Sequence, residues 1–227
     1  MYTQETYDKL KERQENNHHT ITGDLAEPFT HAYASKHGGH YYQGMVKIPR
    51  PGSKNSDTLR ILAAAYQLEY AGIAPDDVST VGMKVTISGP IRTNRYYCKE
   101  LDKHVIGITI HATDEFKKAA EDDPYQNEGT LIGYLRNVKE PRTTKVSSRV
   151  ITDFSCRVPR GKKGDADTIP CIAWETCSRI IPAIDGETLV HLNGHLQCRD
   201  YKKTLEDGTK IKRTAYEFSV NRVVEEN

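Results

Sequence analysis

The chain has 227 residues, 37% of them hydrophobic and 28% charged, with 32 basic side chains against 31 acidic ones. Its mean hydropathy of −0.67 suits small domains with shallow cores rather than one deep interior. These figures exclude a membrane-spanning helix, because no run approaches the roughly 18 apolar residues one needs. They also exclude global basicity as a sign of nucleic-acid binding, so any basic surface has to be local.

Residues 1–19, MYTQETYDKLKERQENNHH, form a polar N-terminal extension in which 2–17 read either as a short helix or as fraying chain. The extension lacks an apolar signal core, so the expected location is the cytoplasm, with no membrane contact. From residue 20 onward the apolar and polar residues alternate with the period of half-buried strands. Val85, Ile87, Gly89 and Ile91 fall on one face, and Lys84, Thr86, Ser88 and Pro90 on the other. This period predicts strands near 20–33, 40–50 and 57–65, a short helix, then strands near 82–99 and 103–113. The charged stretch DEFKKAAEDDPYQNE (114–128) carries Pro124 and no sustained apolar pattern, and reads as a linker over 116–127. A second series of strands is expected near 128–139, 146–160, 167–174, 187–203 and 211–224.

The two series are copies of one pattern. Lys47-Ile48-Pro49-Arg50 and Asp57-Thr58-Leu59 recur as Arg157-Val158-Pro159-Arg160 and Asp167-Thr168-Ile169 at a constant offset of 110 residues. Val85 to Ile91 recurs as Val190 to Leu196, and Tyr96 as Tyr201, at an offset of 105, so the slip falls after the third strand. Residues 51–55 and 161–165 are rich in turn formers and connect hairpins. Five strands with one helix after the third is the order of an OB-fold. The sequence therefore predicts an all-β chain with short helices, built as two tandem OB-folds (five-stranded Greek-key barrels) over 20–115 and 128–227.

Holding a single nucleic-acid strand takes cations for the phosphates and flat rings for the bases. The second copy offers Arg157, Arg160, Lys162 and Lys163 around one hairpin, and Arg199, Tyr201, Lys202 and Lys203 at the end of its fourth strand. Lys212 and Arg213 return along the fifth strand, and Trp174, the single tryptophan, ends the third. A lone tryptophan in a small β-domain also serves as core, and hairpin cations also serve as solvated edge protection. In the first copy Ala64 stands at the position of Trp174, while Tyr96, Tyr97, Arg92, Arg95, Lys47 and Arg50 keep a binding surface available. That copy is read either as a binder or as a structural or oligomerisation module.

Catalytic motifs are missing from the sequence: it has no GxxxxGK[ST] loop, no GxGxxG and no GxSxG. His191 and His195, four apart on a strand, lie roughly 13 Å apart, too far for one zinc. Cys98, Cys156, Cys171, Cys177 and Cys198 form no CxxC pair and read as buried thiols in a reducing compartment. The expectation is a non-enzymatic protein without metal or cofactor.

Four stretches carry a family likeness in their order along the chain. They are Gly129-Thr130-Leu131-Ile132-Gly133, Asp153-Phe154-Ser155, Asp167-Thr168-Ile169-Pro170-Cys171-Ile172-Ala173-Trp174 and Leu192-Asn193-Gly194-His195-Leu196. Through them residues 128–224 resemble the bacterial single-stranded DNA-binding proteins and the related primosomal replication protein. The resemblance implies base-stacking roles for Trp174 and Tyr201. Phe154 lies near a third such aromatic position, although mid-strand it also fits a core role. The implied partners are single-stranded DNA, replication or recombination proteins and a second copy of the chain as a homodimer. The alternative is an assembly factor in which the same sheets dock on other proteins. Residues 223–227 follow the last strand directly, without the acidic tail typical of family members that organise replication. The expectation is therefore an accessory, mobile-element-borne or primosome-type factor.

Overall fold

The computed structural model of the chain describes residues 16–144, 148–160, 165–205 and 208–225, excepting the side chain of residue 100. The expected N-terminal helix over 2–17 lies almost wholly outside these residues. The first copy contains β1 (Asn17–Ala34), β2 (His40–Pro49), β3 (Ser56–Ala64), α1 (Ala65–Tyr70), β4 (Lys84–Gly89), β5 (Ile91–Cys98), β6 (Lys103–His111) and β7 (Glu115–Lys118). The second contains β8 (Gln126–Arg136), β9 (Arg142–Thr143), β10 (Val150–Pro159), β11 (Ala166–Trp174), α2 (Glu175–Ile180), β12 (Leu189–Thr204) and β13 (Lys210–Glu225).

In the first copy β1 pairs with β2, and β2 with β3, both antiparallel. β3 lies parallel to β6 through Ile61↔Ile110 and Leu62↔His111. β6 pairs with β5, and β4 returns to β1 from His19↔Gly89 to Asp24↔Lys84, closing the barrel. The second copy repeats the scheme: β8 with β10, β10 with β11, β11 parallel to β13, β13 beside β12, and β12 back on β8. The chain is thus mostly β, with two tandem OB-folds. Each copy has its own core of inward-facing strand residues. Ile21, Leu25, Phe29, Leu59, Ile61, Ile87 and Ile110 are buried in the first, and Leu131, Leu135, Ile169, Val190, Leu192 and Phe218 in the second.

Two compact units account for the described chain. The first-copy unit gathers His19–Asn127 and Gln197–Tyr216. The second-copy unit gathers Glu128–Leu196 with the described residues before His19 and from Glu217 onward. The distal part of β12 and the start of β13 are therefore assigned to the unit of the first copy.

Two local features differ from the periodicity. The expected strand over 82–99 is broken between β4 and β5 at Gly89-Pro90. Proline cannot donate to a ladder. Gly89 has φ 151°, and a Cβ there would lie 2.0 Å from the His111 carbonyl oxygen. In the second copy His195 replaces Pro90 and β12 runs unbroken through the matching Gly194, where a Cβ would meet the Ser219 carbonyl oxygen at 2.1 Å. The second feature is β7, which begins the stretch read as a linker and pairs with β4 from Ser88↔Glu115 to Val85↔Lys118. One apolar residue anchors it: Phe116 is buried, with its ring 5.5 Å from that of Phe29. A single anchor among charged neighbours leaves no period to detect.

The repeated Arg and Asp residues are clamps at the bases of matching hairpins. Arg160 Nε donates to Asp167 Oδ2 at 2.8 Å and its Nη2 to Oδ1, with the Asp167 side chain fully buried. In the first copy Arg50 Nε and Nη2 donate to Asp57 at 2.9 and 2.6 Å. The same Nη2 donates to the Cys198 carbonyl at 2.6 Å, and the Cys198 amide donates to Asp57 Oδ1 at 2.7 Å. A buried carboxylate that loses its cationic partner is strongly destabilising. Arg50→Ala is therefore expected to lower stability by about 3 kcal/mol. Asp57→Ala, which leaves a guanidinium free to turn toward water, is expected to cost less. Urea denaturation of both variants checks the order, and a negligible loss for Arg50→Ala would contradict the clamp.

Candidate nucleic-acid interface

In the second-copy unit Trp174 closes β11, paired across the ladder with Ile151 and half-buried. Its indole Nε1 donates to Ser219 Oγ at 3.1 Å, which fixes the ring plane against β13. The Arg149 guanidinium lies 4.9 Å from the ring centroid and donates from Nε to Glu175 Oε1 at 3.3 Å. A cation over an indole face is attracted by the ring quadrupole and places positive charge beside a stacking surface. Glu175, the next residue, has φ 46°, a left-handed conformation that is costly for a residue with a Cβ. Behind it Ser178 Oγ donates to the Glu175 carbonyl at 2.6 Å, and Thr152 Oγ1 to the Ser178 carbonyl at 2.8 Å. The first bond braces the start of α2 from within, and the second ties the helix to β10.

The other expected residues of this unit divide. Phe154 is 4% exposed. It shares a strand face with buried Cys156 and Val158, so it is a core residue and has no face to offer a base. Arg157 is half-buried in mid-strand, opposite Thr168 and Tyr134. Arg160 is committed to Asp167, which takes away the freedom that a phosphate ligand would use. Lys162 and Lys163 lie outside the described residues.

The first-copy unit brings two hairpins into play. On the β5–β6 hairpin Tyr96 and Tyr97 are exposed, opposite Val105 and His104. The Tyr97 hydroxyl donates to Asp102, which raises its pKa, and its ring meets His104 edge-on at 5.6 Å. Arg95 is exposed and Arg92 half-buried on the same strand. On the segment Gln197–Tyr216 Tyr201 is exposed, with the Arg199 guanidinium 5.9 Å from its ring centroid. Arg199 and Lys202 are exposed. Lys212 is also exposed, but its Nζ sits 2.8 Å from Asp200 Oδ2, and that carboxylate raises the lysine's pKa.

The segments meet at a cluster of like charge. Loss of hydration lowers the Lys203 pKa, and the neighbouring Lys103 and Arg213 lower it further. Such an assembly favours an anion beside it. Lys103 escapes the sequence reading because nothing local relates the β5–β6 turn to residues 203 and 213. Lys47 is exposed on β2. Arg50, like Arg160, is held by its aspartate and by the Cys198 carbonyl. The sequence reading also passes over Arg149, which meets Trp174 from a distant point in the chain.

Among the described residues no three His, Cys, Asp or Glu side chains come together as a metal site. Nucleophilic cysteine acts as the thiolate. Burial pushes the Cys156 thiol up to about 12 and that of Cys171 well above its ordinary value, so both remain protonated at neutral pH. Among the described residues no helix is long and apolar enough to cross a membrane.

No family model matches the sequence, and no curated protein matches it. Solved structures do resemble the fold. The crystal structure of a deletion mutant of the single-stranded DNA binding protein from Thermus aquaticus matches with a TM-score of 0.68 at 13% identity, covering 93% of this chain and 94% of that one. The wild-type protein from the same organism matches with a TM-score of 0.67 at 12% identity, covering 93% of each chain. The likeness lies in the fold and extends over nearly the whole length of each chain compared.

Proposed function

We propose that this chain binds single-stranded DNA without catalysis and with limited sequence preference, through base stacking and phosphate contacts, in replication, recombination or repair. One observation carries the reading. Each unit presents a ring that is not fully buried with a guanidinium over it: Trp174 with Arg149, and Tyr201 with Arg199. A ring stacks on any base and a guanidinium beside it adds positive charge, so the pair favours single strands without selecting sequence. The Lys103, Lys203 and Arg213 cluster adds charge to the first-copy unit. The proposed contacts are Trp174 and Arg149 in the second-copy unit and, separately, Tyr96, Tyr97, Arg95, Lys103, Arg199, Tyr201, Lys202, Lys203 and Arg213 in the first-copy unit, with the duplicated copies at 20–115 and 128–227. The chain works in the cytoplasm as a homodimer, since OB edges pair readily across two-fold axes.

A second reading, a primosome-type assembly factor that docks on other proteins, is favoured by the apolar surface around α1. Tyr66 and Tyr70, one helical turn apart, are 68% and 86% exposed, and Val78, later in the same connection, is exposed too.

Intrinsic Trp174 fluorescence separates the readings. Oligo-dT is expected to quench it and duplex DNA of equal phosphate content to leave it unchanged. The affinity is expected to fall by about 0.7 log units per log unit of salt for each phosphate neutralised. Trp174→Leu is expected to weaken binding by about 1–3 kcal/mol in a mobility-shift assay. A flat titration together with no mobility shift would overturn the DNA reading and leave the docking one. Light scattering at micromolar concentration is expected to give twice the 25.7 kDa chain mass, and a single chain mass would remove the dimer.

A further inference from the structure

The turn end of the β1–β2 hairpin carries a group of aromatic rings that none of the roles above uses. Tyr33 and Tyr41 face each other across the ladder with ring centroids 4.9 Å apart and planes 13° from parallel. Beside them His31 and His40 lie 5.3 Å apart, with Nε2 of one 3.2 Å from Nδ1 of the other. Both histidines are exposed, and Tyr33 is 46% exposed. Stacked cross-strand rings stabilise a hairpin modestly. That benefit does not require them to stand at this place in the barrel.

The repeat gives the place its meaning. Tyr41 is paired directly with Ala64, the residue that occupies the Trp174 position in the first copy. The same rung in the second copy is Ile151 with Trp174. Each copy therefore holds one aromatic and one aliphatic residue in this rung, with the aromatic moved to the neighbouring strand in the first copy. Adjacent strands are only about 4.8 Å apart, so the ring moves by one strand and remains at the same level of the barrel. Tyr33 then extends that ring outward across the next ladder.

We propose that the Tyr33–Tyr41 stack is a base-stacking platform of the first-copy unit, taking the place of the ring lost at Ala64 and holding a further stretch of the same single-stranded nucleic acid. The inference rests on the proposed single-strand binding. The 4.9 Å spacing leaves no slot for a base between the two rings, so the base lies on an outer ring face, and Tyr33 is the more exposed of the two. The adjoining turn carries the exposed cation Lys36.

Photocrosslinking of the full chain to iodouracil-substituted oligo-dT, mapped by mass spectrometry alongside Trp174 quenching, tests this. Adducts are expected at Tyr33 or Tyr41. Tyr33→Leu with Tyr41→Leu is expected to lower affinity for a long oligonucleotide on the order of tenfold, while a short oligonucleotide still quenches Trp174. Tyr33→Phe with Tyr41→Phe, which keeps both rings, is expected to bind like the parent chain, and it decides the matter with the wild-type adduct map if the leucine variant fails to fold. Quenching of Trp174 with no adduct at either tyrosine, and unchanged long-oligonucleotide affinity in the leucine variant, would overturn this inference alone. Loss of both quenching and adducts in the wild-type chain would overturn it together with the single-strand reading.

Discussion

A carboxylate almost out of contact with water organises the first-copy unit. Asp57 is 1% exposed, and burying its charge is tolerable only because Arg50 presents two nitrogens to it and the Cys198 amide a third donor. Arg50 then reaches on to the Cys198 carbonyl, while the Thr58 amide lies 3.3 Å from the Cys198 sulfur. Three contacts thus tie the base of the β2–β3 hairpin to one residue of β12. Their consequence is that the segment Gln197–Tyr216, although it belongs to the second copy in sequence, packs as part of the first-copy unit. Tyr201 and Arg199 come with it, and Lys203 reaches Lys103 because of it. A basic surface arises locally in this way on a chain whose charges otherwise cancel.

The duplication has kept this clamp and varied what surrounds it. Arg160 and Asp167 reproduce the ion pair at the base of the second hairpin. Where the first copy has Gly89-Pro90 and a broken fourth strand, the second has Gly194-His195 and a 16-residue β12 long enough to extend beyond its own barrel. The stacking rung diverges in the same complementary manner, with Tyr41 and Ala64 in one copy and Ile151 and Trp174 in the other.

The barrels were legible in the sequence because alternation is a local property and the repeat doubles its signal. Both helices begin directly after the third strand of their copy, and the strands fall close to their expected ranges. Charge was harder to read. Arg50 and Arg160 look like phosphate ligands until burial of the aspartate seven residues on is known, although recurrence of Arg and Asp together in both copies was a clue to a structural pair. Phe154 was decidable from parity, since it shares a face with Cys156 and Val158. The Lys103–Lys203 approach, the Arg149–Trp174 contact and the anchoring of β7 by Phe116 each depend on distant segments meeting. No window of sequence contains them.

Hydrogen–deuterium exchange on the full chain, with and without oligo-dT, tests single-strand binding at the level of these segments. Slower exchange is expected in β5–β6 (Ile91–His111), in Gln197–Tyr216 and at the end of β11 around Trp174. Protection confined to α1 and the turn after it, or none at all at saturating oligonucleotide, would contradict binding of a single strand by these rings and cations.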